Sequence, residues 1–133
     1  MATYTEPNRN LDFLVSDQGT ISFEVVTMLQ DASKTQPCVA GTVLGKITSG
    51  GKYTPYDDTA AGLVGVGATV AAGILADNVN ADTLAAGDVT VRIVKRLAEV
   101  KSSKLTWHSS ADATAKSAAA TALDGTNMIL IRS

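Results

Sequence analysis

Few residues in this chain of 133 have the types and spacing that chemistry requires. The glycine-rich segment 62–68 (GLVGVGA) superficially resembles a phosphate-binding loop, but it lacks the G-x-G-x-x-G spacing, and no G-K-[ST] sequence occurs. His108, the single histidine, precedes Ser109, yet adjacent side chains point apart and no G-x-S-x-G motif is present. We interpret segment 62–68 as a structural turn and His108 as a surface or packing residue.

The acidic residues and the cysteine give equally little indication of chemistry. Asp57 and Asp58, and the aspartates of segment 77–82, could offer oxygen ligands to a hard cation, but the calcium-loop pattern with its closing glutamate is missing. Asp and Asn side chains also bond their own backbone in turns, which is the simpler interpretation. Cys38, the single cysteine, excludes an internal disulfide and a thiolate metal cluster, so we expect a buried, inert thiol. The sequence predicts no catalytic, cofactor or metal site.

Composition limits the binding partners and the cellular compartment that we expect for this protein. The formal net charge of -2 comes without any block of like charge, which disfavours sequence-independent binding to nucleic acid. The first residues lack a signal-peptide pattern, and no run approaches the roughly 18 apolar residues of a membrane span. We therefore expect a protein made in a cytoplasm, with neither a membrane nor a nucleic acid as its direct partner.

The middle of the chain reads as a series of short strands joined by turns. Residues 21–28 alternate apolar and polar side chains, with Ile21, Phe23 and Val25 on one face. Glycines inside a strand often mark bulges, and such bulges accompany a strongly twisted sheet. The pattern predicts a small barrel-like sheet, with further strands over 39–47, which holds Gly41 and Gly45, and over 68–75 and 89–94.

The last third changes to a helical pattern and then returns to a strand. Ser109 and Asp112 form a plausible capping pair, and the alanine-rich segment 113–123 predicts one helix of about three turns. Gly125 stands where a C-terminal helix glycine would be expected. The apolar run within 127–132 predicts a closing strand that is buried on both faces. The sequence thus predicts a mainly β (α+β) fold, with one short C-terminal helix and a closing C-terminal strand.

The first 20 residues differ from the rest, because they are polar and show little periodicity. Such a segment buries too little apolar surface to offset its ordering entropy, so we predict a flexible arm over 1–20 and a single β-rich domain over 21–133. Two explanations stay open for the few apolar residues of the arm. They tie the arm to its own domain, or they let an extended arm pair with a strand edge on a partner.

Several stretches, taken in order, resemble the head decoration proteins of tailed bacteriophages, the family of phage lambda protein D. The resemblance covers about residues 35–133, and it rests on the order of the motifs rather than on any one of them. The motifs are CVAGTVLGK at 38–46, KYTPYD at 52–57, AGIL at 72–75, LTW at 105–107 before a short helix, and the terminal ILI at 129–131.

The resemblance implies a homotrimeric β-tulip domain on the outer surface of the virion. It would bind the major capsid protein of the expanded head at three-fold and quasi-three-fold positions and stabilise the head against internal DNA pressure. The arm would become ordered on the shell by adding to a capsid strand. Our hypothesis is that Tyr4, Pro7, Leu11 and Phe13 provide the capsid-facing contacts of this arm.

A rival interpretation from another class is a small β-barrel carrier or binding module unrelated to capsids. A biotinyl or lipoyl carrier needs an exposed lysine at a hairpin tip in a recognisable tripeptide. Lys46 and Lys52 flank a turn, but neither has such a setting. An enzyme is the least favoured class, because no motif assembles an acid, a base and a nucleophile.

Overall fold

The computed structural model describes residues 13–17, 19–28, 39–47, 51–56, 70–79, 89–107 and 111–132. These residues form a mostly β structure with one α-helix. The strands are β1 (Leu14–Ser16), β2 (Phe23–Met28), β3 (Val43–Lys46), β4 (Tyr53–Pro55), β5 (Ala71–Leu75), β6 (Val89–Val94), β7 (Ala98–Lys101) and β8 (Ile129–Arg132), and the helix is α1 (Ala113–Ala122). Short 3-10 turns cover Gly19–Ser22 and Ser102–Lys104, and a π-helical turn covers Leu123–Asn127.

Five strands form a closed barrel in the order β2-β4-β3-β5-β6. Its longest ladder is antiparallel and joins β2 to β6, from Phe23 opposite Val94 to Met28 opposite Val89. A parallel contact between Met28 and Tyr53 joins β2 to β4 and closes the barrel. The predicted barrel-like fold, with its short C-terminal helix and C-terminal strand, is confirmed.

The barrel interior holds one hydrophobic cluster. Because the chain has few aromatic residues, aliphatic side chains fill most of this space, and Tyr53 is the large ring among them. Full burial of one such side chain stabilises the fold by roughly 1.5–3 kcal/mol. The buried members are Met28, Leu44, Tyr53, Leu75, Val91 and Ile93.

A second cluster lies between the barrel wall and a three-stranded sheet of order β1-β7-β8, with α1 packed beside it. Strand alternation divides neighbouring residues between the two clusters. Val43 belongs to the second cluster and Leu44 to the barrel interior, and Ile74 and Leu75 divide in the same way. The wall of the barrel is therefore buried on both faces where the second sheet covers it.

The glycine predictions are confirmed at one position and altered at another. The register between β3 and β5 shifts between Leu44 and Gly45, which is the irregularity that an interior glycine indicated. Gly41, expected inside the same strand, instead lies in the turn before β3 with φ +95°. That conformation is one that L side chains rarely adopt, which explains a glycine there.

The helix begins as predicted but ends differently. The Asp112 side chain accepts a hydrogen bond from the Ala115 N–H at 2.8 Å and caps α1, while Ser109 lies outside the described residues. Gly125 does not end the helix as predicted, because it lies inside the π-helical turn that follows Ala122. The chain continues through this turn, and Met128 adopts the left-handed conformation, with φ 53°.

Two expectations about buried faces are also wrong. Strand β8 is an edge of its sheet rather than a strand buried on both faces, and Leu130 is 40% exposed. In β2 the interior-facing residues include Met28, whereas Val25 is 69% exposed and Ile21 precedes the strand in a 3-10 turn. Apolar alternation showed that β2 is a strand, but not which of its faces the barrel would bury.

Candidate functional site

Of the acidic residues considered as cation ligands, Asp77 lies in the described part of the chain. The Asp77 carboxylate forms a two-pronged pair with the guanidinium of Arg92, at 2.8 and 3.1 Å, which agrees with a structural role for this turn acid. No group of metal-type ligands occurs among the described residues, and none of their helices is long and apolar enough to cross a membrane. Cys38, Asp57, Asp58, His108 and the whole of segment 62–68 fall outside the described ranges.

Of the four residues predicted to contact a capsid, the structure describes Phe13. Its side chain is 1% exposed and belongs to the second core cluster, and its carbonyl accepts a hydrogen bond from the Lys101 N–H at 2.8 Å. A capsid contact by Phe13 stays a prediction, and it would require the side chain to leave this core. Tyr4, Pro7 and Leu11 lie outside the described residues.

An open groove lies over the outer face of the β1-β7-β8 sheet, and we call it the β8 groove. It measures about 550 Å³, and its most exposed apolar members are Met128 at 60% and Leu130 at 40%. Exposed apolar surface in a groove with a polar rim is typical of an interaction site. The groove is lined by Ser16, Leu97, Ala98, Glu99, Met128 and Leu130.

The backbone of the groove is held in an uncommon conformation. Leu97 and Met128, both of which line it, have φ values of 52° and 53°. The Leu97 N–H donates to the Asn127 carbonyl at 3.1 Å, and the Ala98 N–H donates to the Met128 carbonyl at 3.3 Å. Left-handed backbone at a non-glycine residue costs roughly 1–3 kcal/mol, so the surrounding contacts must hold it in place.

Asn127 connects the groove to the barrel. Its side chain is buried, and its Nδ2 donates to the carbonyls of Lys95 at 2.9 Å and Ala72 at 3.2 Å. Its Oδ1 has no hydrogen-bond partner among the described residues. The Ser22 hydroxyl adds a further connection by donating to the Leu97 carbonyl at 3.0 Å. These bonds fix the turn between β6 and β7, from which one side of the groove is built.

The polar rim of the groove is internally paired. Glu99 accepts hydrogen bonds from Arg132 at 2.6 Å and from the Ser16 hydroxyl at 3.2 Å. The hydrogen bond from Arg132 is the largest cause that lowers the pKa of Glu99, and the bond from Ser16 is the second largest. The hydrogen bond to Glu99 raises the pKa of Arg132. At neutral pH Glu99 and Arg132 therefore form an ion pair, and their opposite charges cancel at the rim of the groove.

A second ionic cluster lies at the β6–β7 turn. Glu24 contacts Lys95 Nζ at 2.5 Å and the Arg96 guanidinium at 3.4 Å. The hydrogen bond from Lys95 is the largest cause that lowers the pKa of Glu24, and it also raises the pKa of Lys95. This cluster stabilises the turn that carries Leu97.

Sequence inspection missed the β8 groove. The run within 127–132 predicts a fully buried strand, because four successive apolar residues resemble a strand covered on both faces. The polar Arg132 agrees with an edge strand, but it does not show which apolar residues remain exposed.

The described residues define a small, mostly β protein with a closed five-stranded barrel, one short helix and an open groove on its second sheet. A family model described as bacteriophage lambda head decoration protein D matches residues 3–126, nearly the whole chain. The chain therefore belongs to the bacteriophage lambda head decoration protein D family, which confirms the resemblance inferred from its motifs. A search of curated proteins found no match. Membership supports a capsid decoration role in a phage virion, and this family is a structural class rather than an enzyme class.

Proposed function

We propose that this protein is a cementing protein that binds the exterior of the expanded phage head. It binds as a homotrimer at three-fold and quasi-three-fold positions, where it joins neighbouring major capsid subunits and stabilises the head against internal DNA pressure. The observation that carries the proposal is the family match over residues 3–126.

The stabilisation follows from linkage. A ligand that binds one state of a lattice and not the other stabilises the bound state, by an amount that grows with ligand concentration and affinity. If only the expanded shell presents the complete composite site, the protein binds that shell and shifts the equilibrium toward it. Binding alone would then stabilise the expanded shell against internal pressure, without any chemical step.

The N-terminal arm provides one contact in this proposal. Tyr4, Pro7 and Leu11 contribute the capsid-facing side chains, and Pro7 disfavours helix in the segment because it lacks a backbone N–H. The buried side chain of Phe13 and its carbonyl bond to Lys101 support an anchoring role for the residues where the arm enters β1. The arm that leaves the domain would accordingly end before Phe13.

Charge supports a protein partner over a nucleic acid. The chain carries a formal net charge of -2, and ion pairs engage Arg92, Lys95, Arg96 and Arg132. Proteins that bind nucleic acid without sequence preference depend instead on available cations that displace counterions.

Co-sedimentation with the cognate shells, before and after expansion, tests the proposal. We expect the full chain to pellet with expanded shells alone, and a variant that lacks residues 1–12 to bind at least tenfold more weakly. The deletion stops before Phe13 so that the core stays intact, and a thermal melt of the free variant controls for folding. Light scattering checks the trimer. A full chain that ignores expanded shells would overturn the proposed function.

A further inference from the structure

The side chain of Met128 lies at the surface although it is apolar. It is 60% exposed, whereas Met28, the other methionine in the described ranges, is 1% exposed and lies inside the barrel. The thioether of a methionine is oxidised to a sulfoxide, which is a common oxidative lesion of proteins. The two sulfur atoms therefore differ in how easily a dissolved oxidant reaches them.

The exposure of Met128 is fixed by the backbone around it. Its N–H donates to the Leu123 carbonyl, and its own carbonyl accepts a hydrogen bond from the Ala98 N–H at 3.3 Å. The neighbouring side chains of Asn127 and Ile129 are buried, so they anchor the chain on both sides of the exposed residue. An oxidant can therefore reach the sulfur of Met128 in the folded state, without any opening of the protein.

Met28 is protected by the barrel. Its backbone pairs with Tyr53 in β4 and with Val89 in β6, and its side chain belongs to the buried cluster of the barrel interior. An oxidant reaches this sulfur only in molecules that have opened, and the fraction of such molecules falls as the free energy of opening rises. The oxidation of Met28 should therefore be slow and should respond to denaturant, whereas that of Met128 should be fast and should not.

We infer that Met128 is an oxidation site of the native protein, at which a peroxide forms the sulfoxide while Met28 and the fold stay intact. The sulfur donates an electron pair to one oxygen of hydrogen peroxide, and the O–O bond breaks. The other oxygen leaves as water after it takes the proton of the transferred oxygen. The sulfur is thereby oxidised by two electrons and the peroxide is reduced by two. This inference concerns the folded chain alone and stands apart from the proposed capsid function.

Oxidation at this position changes the β8 groove. Met128 and Leu130 are the most exposed apolar residues that line it, and the sulfoxide turns one of them into a polar side chain. Neither buried cluster includes Met128, so we expect oxidation there to change the melting temperature by less than about 2 °C. Methionine sulfoxide reductases restore the thioether, and the exposure of the side chain should let them act on the folded protein.

Peptide mapping of the chain after treatment with hydrogen peroxide tests the inference. Trypsin places the three methionines of the chain in separate peptides, which cover 1–9, 10–34 and 117–132. Without denaturant, we expect Met128 to be oxidised at least tenfold faster than Met28. In urea above the unfolding midpoint, both sulfur atoms are accessible and we expect the two rates to lie within twofold of each other.

Matched variants assign the fast reaction. Met128→Leu should lose it and Met28→Leu should keep it, since leucine and methionine have similar volumes and the fold should tolerate both changes. Oxidation of both methionines at similar rates without denaturant would overturn the inference, and so would a Met128 that does not react. A fall in melting temperature of more than about 2 °C after oxidation of Met128 would also overturn it, because the fold would then depend on that side chain.

Discussion

The phenol of Tyr56 donates a hydrogen bond to the carbonyl of Ala115 at 3.1 Å, across 59 positions of sequence and inside the protein. Tyr56 directly follows β4 of the barrel, and Ala115 lies in the first turn of α1. Both residues belong to the cluster between the barrel wall and the second sheet. The bond therefore fixes the start of the helix against the end of a barrel strand.

Replacing Tyr56 with Phe should remove this bond and leave the ring in place. We expect the free energy of unfolding to fall by about 1 kcal/mol, the usual net value of an intramolecular hydrogen bond. Urea denaturation followed by circular dichroism measures the change. An unchanged unfolding midpoint would show that the bond contributes no net stability.

Gly41 is packed against backbone. Its φ is +95°, and a Cβ at this position would lie 2.5 Å from the Lys104 carbonyl oxygen. We expect Gly41→Ala to cost at least about 2 kcal/mol, because the clash involves backbone and the conformation is strained for alanine. Gly125→Ala is the control, since its Cβ would meet nothing within 4 Å, and it should be neutral or stabilising. Equal melting temperatures for the two variants would contradict this account.

Phe13 should behave as a core residue in the free protein. Phe13→Ala is expected to cost about 3–5 kcal/mol, the usual range for a buried phenylalanine. Val15→Ala is the neighbouring control, because Val15 is 46% exposed and should change stability by less than about 0.5 kcal/mol. Thermal melts without shells make the comparison. A stable Phe13→Ala variant that fails to bind shells would instead assign the side chain to the capsid contact.

Asn127 is expected to be sensitive to the loss of its donor group. Asn127→Asp would face the carbonyls of Lys95 and Ala72 with a carboxylate in place of the amide N–H groups. Burial raises the pKa of the introduced acid, so its protonated form is favoured in the folded protein and the cost of the substitution should grow as pH rises. We expect Asn127→Asp to be less stable than Asn127→Ala at pH 7, with a smaller difference at pH 4. Melting temperatures at both pH values test this, and a difference independent of pH would contradict it.

The cluster at the β6–β7 turn predicts a specific acid sensitivity. Lys95 holds the pKa of Glu24 below its ordinary value of 4.5. The stabilisation is therefore fully present above pH 4.5 and is lost as pH falls through the lower pKa of the folded state. We expect the melting temperature of Glu24→Gln to fall less between pH 6 and pH 3 than that of the unmodified chain. The same comparison made in a Lys95→Met background should show a smaller difference between the chains with and without Glu24→Gln. If Glu24→Gln and the unmodified chain lose melting temperature equally between pH 6 and pH 3, the ion pair does not cause the acid sensitivity.

The sequence by itself determined the kinds of elements and the family. Alternation predicted β2 and β6, an interior glycine indicated the irregularity at Gly45, and the alanine-rich segment with Asp112 predicted α1. These features depend on local backbone preferences and on the period of apolar residues, which are readable along the chain. The order of motifs likewise identified the family that the model match confirmed.

Only the tertiary structure decided which apolar faces are covered. Val25 and Leu130 are exposed although their strands look apolar, and Phe13 is buried although its neighbourhood looks like an arm. Burial depends on what packs against a face, and those partners come from distant parts of the sequence, as Lys101 does for Phe13. The β8 groove arose in the same way. Its left-handed residues Leu97 and Met128 lie far apart in sequence and meet because β7 and β8 pair in the folded protein.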